Sequence, residues 1–302
     1  MLNLALICAL ASGGGDACSN AAAETEVVLP TPRERAATHL ERGLALAMSD
    51  HTEAEDRLAL LETVANQAAG ELRGKRIERI LRDAVTDARW RAFTGSSDAW
   101  RDLAASLEAR RQDLLFRPFI EADLPTGFPA PTPVLEIELK TYPAYRLART
   151  AMSGSRGNGA FWKLFQHIQS NDIAMTAPVE MTYDTDAPEL EGLSMAFLYG
   201  DMAIGETGAD GRVEVVDIAP LQVLSIGCRG RTSEGRIQAA RKQLEAWLAA
   251  NPDYAAGGPL RALGYNSPMV SDKRAYFEVQ IPVRRADVIA RATQPSERRA
   301  GS

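Results

Sequence analysis

The side chains able to do chemistry are few and far apart. The three histidines, His39, His51 and His167, and the three cysteines, Cys8, Cys18 and Cys228, are scattered over the chain. No two of them stand at the spacing of a metal knuckle, a disulfide framework or a redox pair. No serine sits in a nucleophile elbow, and no glycine loop has a phosphate-binding frame. The run GSRGNG (154–159) is rich in glycine, but it lacks the strand–turn–helix context and the acidic partner of a nucleotide site. Arg274 and Glu278 are four apart in a strand-like run, which puts both on one face and suits a pair that pins the last strand. Cys228, at a strand end, reads as a small buried apolar residue. Met175 and Met181, in NDIAMTAPVEMT, are soft apolar fillers, and Pro178 between them suits a sheet edge or bulge. No enzyme signature survives among these residues.

The bulk numbers agree. A chain of 302 residues with 45% apolar and 25% charged residues can build an ordinary core. Its net charge of −6 argues against a general nucleic-acid binder, which needs a basic face for phosphates. Residues 1–29 begin with a short apolar run, LNLALICALA, followed by small residues. That run suits a signal-peptide core better than a membrane span, although no basic residue precedes it. The expectation is an exported protein, periplasmic or lipid-anchored through Cys18, with a cytoplasmic location as the alternative. No later segment has the apolar length of a transmembrane helix.

The elements that must position these residues fall into two regions. Residues 30–117 carry helical periodicity. Thr31-Pro32-Arg33-Glu34 reads as a capping box with proline at the first helical position. Thr52 to Glu55 reads as a second box. Three or four amphipathic helices result, a small all-α region. Its basic stretch Arg73, Lys75, Arg76, Arg79 and Arg82 reads as a solvated helix face, with contact to a protein partner as the alternative. Residues 118–133 hold five prolines and read as a linker, because proline removes backbone donors and blocks helix.

From 134 to 284 the period changes. Leu135, Ile137 and Leu139 alternate with Glu136, Glu138 and Lys140, a half-buried strand with its leucines inward. Phe161, Leu164, Phe165 and Ile168 follow at i, i+3, i+4 and i+7, the core face of a helix. His167 lies well away from the centre of that face and reads as exposed. The segments YPAYRLARTAMSG (142–154) and IAPLQVLSIGCRG (218–230) overlay without a gap, and each leads into a helix and two strands. The fold class is therefore α+β: duplicated βαββ units forming a distorted antiparallel sheet or barrel with two helices, after the small all-α region. Residues 285–302 read as a tail.

Within this frame FWKLFQHIQSNDIAMTAPVEM, followed by GYNSPMVSDKRAYFEVQIPV, resembles the SOUL heme-binding family. The matching positions are Asn171, Met175 to Val179, Tyr265-Asn266-Ser267-Pro268, Arg274 and Glu278-Val279, and the resemblance spans half the chain. It implies a duplicated sheet-and-helix fold and non-enzymatic binding of heme or another tetrapyrrole in an apolar groove beside the first helix. Phe161, Trp162, Phe165, Met175 and Met181 would supply the apolar bed. Lys163 and Arg149, with Arg146 or Arg156, would meet the propionates. His167 is the one histidine in the region that could stand at the mouth as an axial ligand. A ring of this size buries several hundred Å², so at about 25 cal/mol/Å² micromolar binding needs no iron ligation. The alternatives are a scaffold that engages a protein partner through the N-terminal helices, and an effector domain for a small cationic or amphipathic ligand. An acid-lined pocket with Glu136, Glu138, Glu180 or Glu278 would mark the latter.

Overall fold

The structure is a computed structural model that describes residues 29–53, 55–152, 158–184 and 190–286. The expected signal segment, the GSRGNG loop up to Gly157 with Arg156, and nearly all of the C-terminal tail lie outside the described residues.

Four helices come first: α1 (Pro32–Ala47), α2 (Asp56–Glu71), α3 (Arg76–Phe93) and α4 (Ala99–Leu115). The Thr31/Glu34 capping box forms as the sequence predicts. The second box does not. The Thr52 hydroxyl turns back to the Leu46 carbonyl at 2.7 Å and helps close α1, so α2 starts later without a side-chain cap. Leu40, Leu61, Ile77, Leu81, Leu103, Leu107 and Leu114 bury completely or nearly so and form one core among the four helices.

The rest of the described chain is one antiparallel sheet with two helices. Its elements are β1 (Ile137–Tyr142), β2 (Tyr145–Ala151), α5 (Asn158–Ser170), β3 (Val179–Tyr183), β4 (Gly192–Leu198), β5 (Gly208–Asp210), β6 (Val213–Ile218), β7 (Leu221–Arg229), α6 (Glu234–Ala250), β8 (Tyr254–Ala256), β9 (Leu260–Gly264) and β10 (Tyr276–Arg285). The strand order is β1-β7-β10-β9-β3-β4-β2-β6-β5, with β8 beside β10, and the sheet does not close into a barrel. The order reads as a pseudo-twofold about the central β9–β3 pair. The duplication is therefore physical: β1, β2, α5, β3, β4 correspond to β6, β7, α6, β9, β10.

The gap-free overlay is also explained. Tyr142 and Tyr145 flank a two-residue corner, and Ile218 and Leu221 flank its copy. Neither corner is a hairpin. Tyr142 pairs with Leu221, and Tyr145 with Ile218. The first strand of each unit thus pairs with the second strand of the other unit, and the halves are interlocked.

The sheet has two covered faces. On one face α6 packs Ile237, Ala240 and Leu244 against Phe277, Val279 and Ile281. On the same face α5 packs Leu164 and Ile168 against Met195, Phe197 and Val215. Residues 116–135 lie across the other face, so the expected linker is a strap. Phe116, Ile120, Leu124 and Phe128 pack on Tyr142, Tyr145, Leu263, Tyr265 and Tyr276. Phe128 meets Tyr142 and Tyr145 edge-on, at 4.9 and 5.1 Å between ring centres. Prolines suit this segment because it crosses the sheet without needing a ladder of its own. Together, the described residues from Thr31 onward form one compact unit.

The strap reverses one expectation. In β1 and the turn before it, Glu136 and Lys140 are buried while Leu139 is partly exposed. Leu139 does not face inward, because the charged side chains have partners on the inner side. Lys140 Nζ donates to Glu278 at 2.8 Å, and Arg33 stands 3.4 Å from Glu136. Arg274 is also displaced from its expected place: it precedes β10 and lies 4.7 Å over the Phe119 ring of the strap.

The turn before β10 is held by a carboxylate clamp. Asp272 accepts the Arg231 amide at 2.9 Å and both Nη atoms of Arg236 at 2.6 and 2.9 Å. The Arg236 guanidinium, then the Arg231 amide, hold its carboxyl well below the usual carboxylate range. A depressed carboxylate stabilises the fold above its unfolded pKa, near 4, and loses that contribution as pH falls through the lower folded value. Asp272→Asn is therefore expected to cost less than about 1 kcal/mol at pH 7, because the clamp is exposed. That cost should shrink below pH 4 when wild type and variant are compared by urea unfolding. A cost independent of pH would contradict this account.

Candidate functional site

The exposed flank of α5 is aromatic. A helix that buries Leu164 and Ile168 at i and i+4 sends residues one and two positions away to its edges. Phe161 and Phe165 stack at 6.1 Å with an interplanar angle of 11°. Trp162 meets both rings edge-on at 5.8 Å while remaining 62% exposed. Phe161 is anchored beneath by Phe197 of β4 at 5.1 Å. Phe165, Ile173, Val179 and Met181 are half-buried against the same core. Met175, between α5 and β3, is 37% exposed. A sheet of apolar surface thus runs from α5 onto the start of β3. An indole two-thirds exposed on a helix is costly to leave in water, and such surface commonly marks a binding face.

The cations stand differently. Arg149 is exposed on β2 and pairs with Glu214 at 2.9 Å. Arg146 is clasped by Asp217 and donates to the Ile204 carbonyl, so it is committed to the fold. Lys163 is half-buried on α5, one residue from Trp162. Among the described propionate candidates, Lys163 is the one next to Trp162 on α5.

His167 differs from its expected exposure. It is buried, with Nδ1 2.7 Å from an Asp210 oxygen and Nε2 2.8 Å from the Tyr199 hydroxyl. The imidazole turns toward β4 and β5 because two polar partners there satisfy both nitrogens, which a helical wheel does not register. Each ring nitrogen has a partner, so whichever one ligated an iron would first have to give that partner up. Asn171 caps this end of α5, donating to the His167 carbonyl at 2.9 Å. Among the described residues, no group of three or more His, Cys, Asp or Glu side chains is placed to hold a metal ion.

The two sequence motifs do a different job from lining a groove. The Ala177 amide donates to Asp123 O at 3.0 Å, and the Thr176 hydroxyl bonds Leu198 O at 2.6 Å. Asn266 Nδ2 donates to Phe119 O at 2.7 Å, and the Ser267 hydroxyl bonds Glu121 at 3.0 Å. Tyr265 and Glu278 meet at 3.0 Å beneath the strap. Both motifs therefore dock the strap, and Val179 and Met181 pack against the α5 core.

A family model for the SOUL heme-binding proteins matches residues 132–282, half of the chain. The chain belongs to the SOUL family. The matched span starts at Thr132, inside the strap, and runs from β1 into β10, whereas the four N-terminal helices lie outside it. No curated protein matches the chain. Among solved structures, the C-terminal domain of EcmrR is similar at 15% identity and a TM-score of 0.39, over 49% of this chain and 97% of that one. EcmrR in a DNA complex is similar at 14% identity and a TM-score of 0.40, over 85% of each chain. An uncharacterized conserved protein from Listeria innocua is similar at 11% identity and a TM-score of 0.40, over 51% and 94%. At such scores these likenesses carry no inference about a ligand or partner.

Of the four acids that would mark a cationic-ligand pocket, Glu136, Glu180 and Glu278 are paired within the chain. Glu278 is taken by Lys140, Glu180 stands 2.9 Å from buried Arg261, and Glu136 faces Arg33. Their charges are already balanced from within the chain. Among the described residues, no helix is long and apolar enough to cross a membrane.

Proposed function

We propose that this SOUL-family chain binds a flat apolar ring, heme or a related tetrapyrrole, on the aromatic flank of α5, and acts by binding without catalysis. The observation that carries the reading is the supported but open ring cluster: Phe161 and Phe165 stacked and anchored on Phe197, with Trp162 exposed above them. Rings held rigid from beneath lose little freedom when a planar ligand covers them, which favours binding. Met175 and Met181 would extend the bed, and Lys163 would face a propionate, with Arg149 reaching one only by leaving Glu214. Heme would supply its own iron chemistry when bound. His167 would keep α5 in place through Asp210 and Tyr199, and would not serve as the axial ligand.

Titrating the full chain with hemin should give a saturable Soret shift at about one site. Trp162→Ala and Phe165→Ala should each weaken it about tenfold, the worth of one aromatic contact. His167→Gln should leave the position of the Soret band unchanged. An unsaturable response, or hemin binding that ignores both aromatic substitutions, would remove this reading.

A protein partner on the helical region is favoured by one observation. Trp90 and Phe93, at the end of α3, are 63% and 83% exposed, with ring centres 6.0 Å apart. The stretch Arg73 to Arg82 favours it less, because Arg76 turns inward to the Leu135 carbonyl and Arg82 pairs with Glu78.

A further inference from the structure

We propose that the cleft between the helical region and the SOUL sheet binds a small divalent oxyanion, a phosphate or a dicarboxylate. The cleft measures about 230 Å³ and lies between α4, the 134–135 turn, β7 and α6. That is smaller than a typical cofactor pocket, so the occupant is small.

Charge decides its class. Arg110 and Arg229 line the cleft together with a single carboxylate, Asp113, at 3.2 and 3.5 Å. Arg236 also lines it, but Asp272 neutralises that guanidinium at 2.6 Å. Arg76 stands at the edge. Its Nη1 donates to the Leu135 carbonyl at 2.7 Å, and its Nη2 bonds the Gln243 side-chain oxygen. Among the described residues no carboxylate forms an ion pair with Arg76. Three guanidiniums thus share one carboxylate, a surplus of about two positive charges in a partly dry site. Burial, and then the neighbouring Arg79, lower the Arg76 pKa; Glu136, itself paired with Arg33, opposes this, and Arg110 adds a smaller lowering. Burial raises that of Asp113, so the one carboxylate is itself held uneasily in its charged form. Cys228 adds no negative charge, because burial pushes its thiol up to about 12.

The backbone is also unusual here. Leu135 takes φ 68°, a conformation that a leucine rarely adopts. It is held there from three sides. Its amide donates to Gly227 O at 3.0 Å, its carbonyl accepts Arg76, and its side chain packs on the helical core. Such positions persist where the surroundings over-determine them, and they cluster at ligand sites. Guanidinium groups bind oxyanions through paired, charge-assisted hydrogen bonds, and an anion here would tie α4 to β7.

The test uses the full chain at constant ionic strength, with inorganic phosphate and succinate titrated separately and sodium chloride as the reference. At least one of the two should raise the unfolding midpoint beyond chloride and give a one-site calorimetric isotherm. Which of them binds tells a tetrahedral from an extended dianion. Arg110→Gln and Arg229→Gln should each weaken that binding about tenfold. Arg82→Gln, an exposed arginine paired with Glu78 outside the cleft, should leave it unchanged. The use of two cleft variants guards against one failing to fold. The proposal is overturned if neither anion exceeds chloride, if both cleft variants bind like wild type, or if Arg82→Gln loses as much as they do.

Discussion

Glu278→Gln is expected to cost about 3–5 kcal/mol in equilibrium unfolding, the range for breaking a buried ion pair from one side. Glu278 is fully buried and accepts four hydrogen bonds. Oε1 receives Lys140 Nζ at 2.8 Å and the Thr132 amide at 2.5 Å, and the Tyr276 hydroxyl lies 3.2 Å away while giving its proton to Thr132 O at 2.5 Å. Oε2 receives the Tyr265 hydroxyl at 3.0 Å and Gln280 Nε2 at 2.9 Å. Burial raises the pKa of Tyr265 and Tyr276 well above the usual tyrosine value, so both stay donors. A neutral amide of the same shape removes the counter-charge of Lys140, which is 6% exposed. It also turns an N–H₂ toward groups that are themselves donors. Lys140→Met should cost a comparable amount by stripping the carboxylate of its cation. The double variant should cost less than the sum of the singles, since the uncompensated charge is then gone. A loss below about 1 kcal/mol for Glu278→Gln in urea unfolding would mean that water already reaches this site.

Gly227→Ala is expected to destabilise the chain by about 3 kcal/mol, the upper end for overpacking. A Cβ at Gly227 in β7 would overlap the Thr132 carbonyl oxygen and stand 2.7 Å from Pro133 O. Both obstacles are backbone, so no rotamer change relieves them. The strap is held at this point by a bridge from Val134 to Gly227 and by the Leu135 amide bond to Gly227 O. The strap must therefore lift. Besides the lower melting temperature, limited proteolysis should open new cuts between residues 117 and 134 while β9 and β10 stay protected. An unchanged melting temperature and cleavage pattern would show that the strap is not seated on Gly227.

The two results probe one design. The strap closes the second face of the sheet, and its polar underside supplies Thr132 to the Glu278 cluster. The α5 flank on the opposite face stays open, so the strap and the proposed ring site can be perturbed separately. Hemin affinity that falls in Gly227→Ala in proportion to lost stability would reflect unfolding alone. Affinity retained at low temperature would show that the two faces act independently.

Much of this chain was legible from local pattern. The capping box at Thr31, the helical period through Leu114 and the core spacing of Leu164 and Ile168 are all read from residues a few places apart, and all form. The overlay of 142–154 on 218–230 disclosed the duplication, because both copies need the same corner. The two motifs disclosed the family. These features were visible because each is decided by neighbours along one element or by a copy of itself.

What the sequence left open was decided across long separations. Residues 118–133 read as a linker, the apolar side of β1 as its buried side and His167 as exposed; the structure lays 116–135 over the sheet, buries Lys140 beside a partly exposed Leu139, and buries the imidazole. Lys140 finds Glu278 across 138 residues, and His167 finds Tyr199 and Asp210 across 32 and 43. Periodicity says which side of its own element a residue occupies. It does not say whether an opposite charge or a hydroxyl waits on that side. Burying a charge or an imidazole is unfavourable alone and tolerable only when paired. Where those polar groups lie was therefore set by the folding of the two interlocked halves and the strap across them.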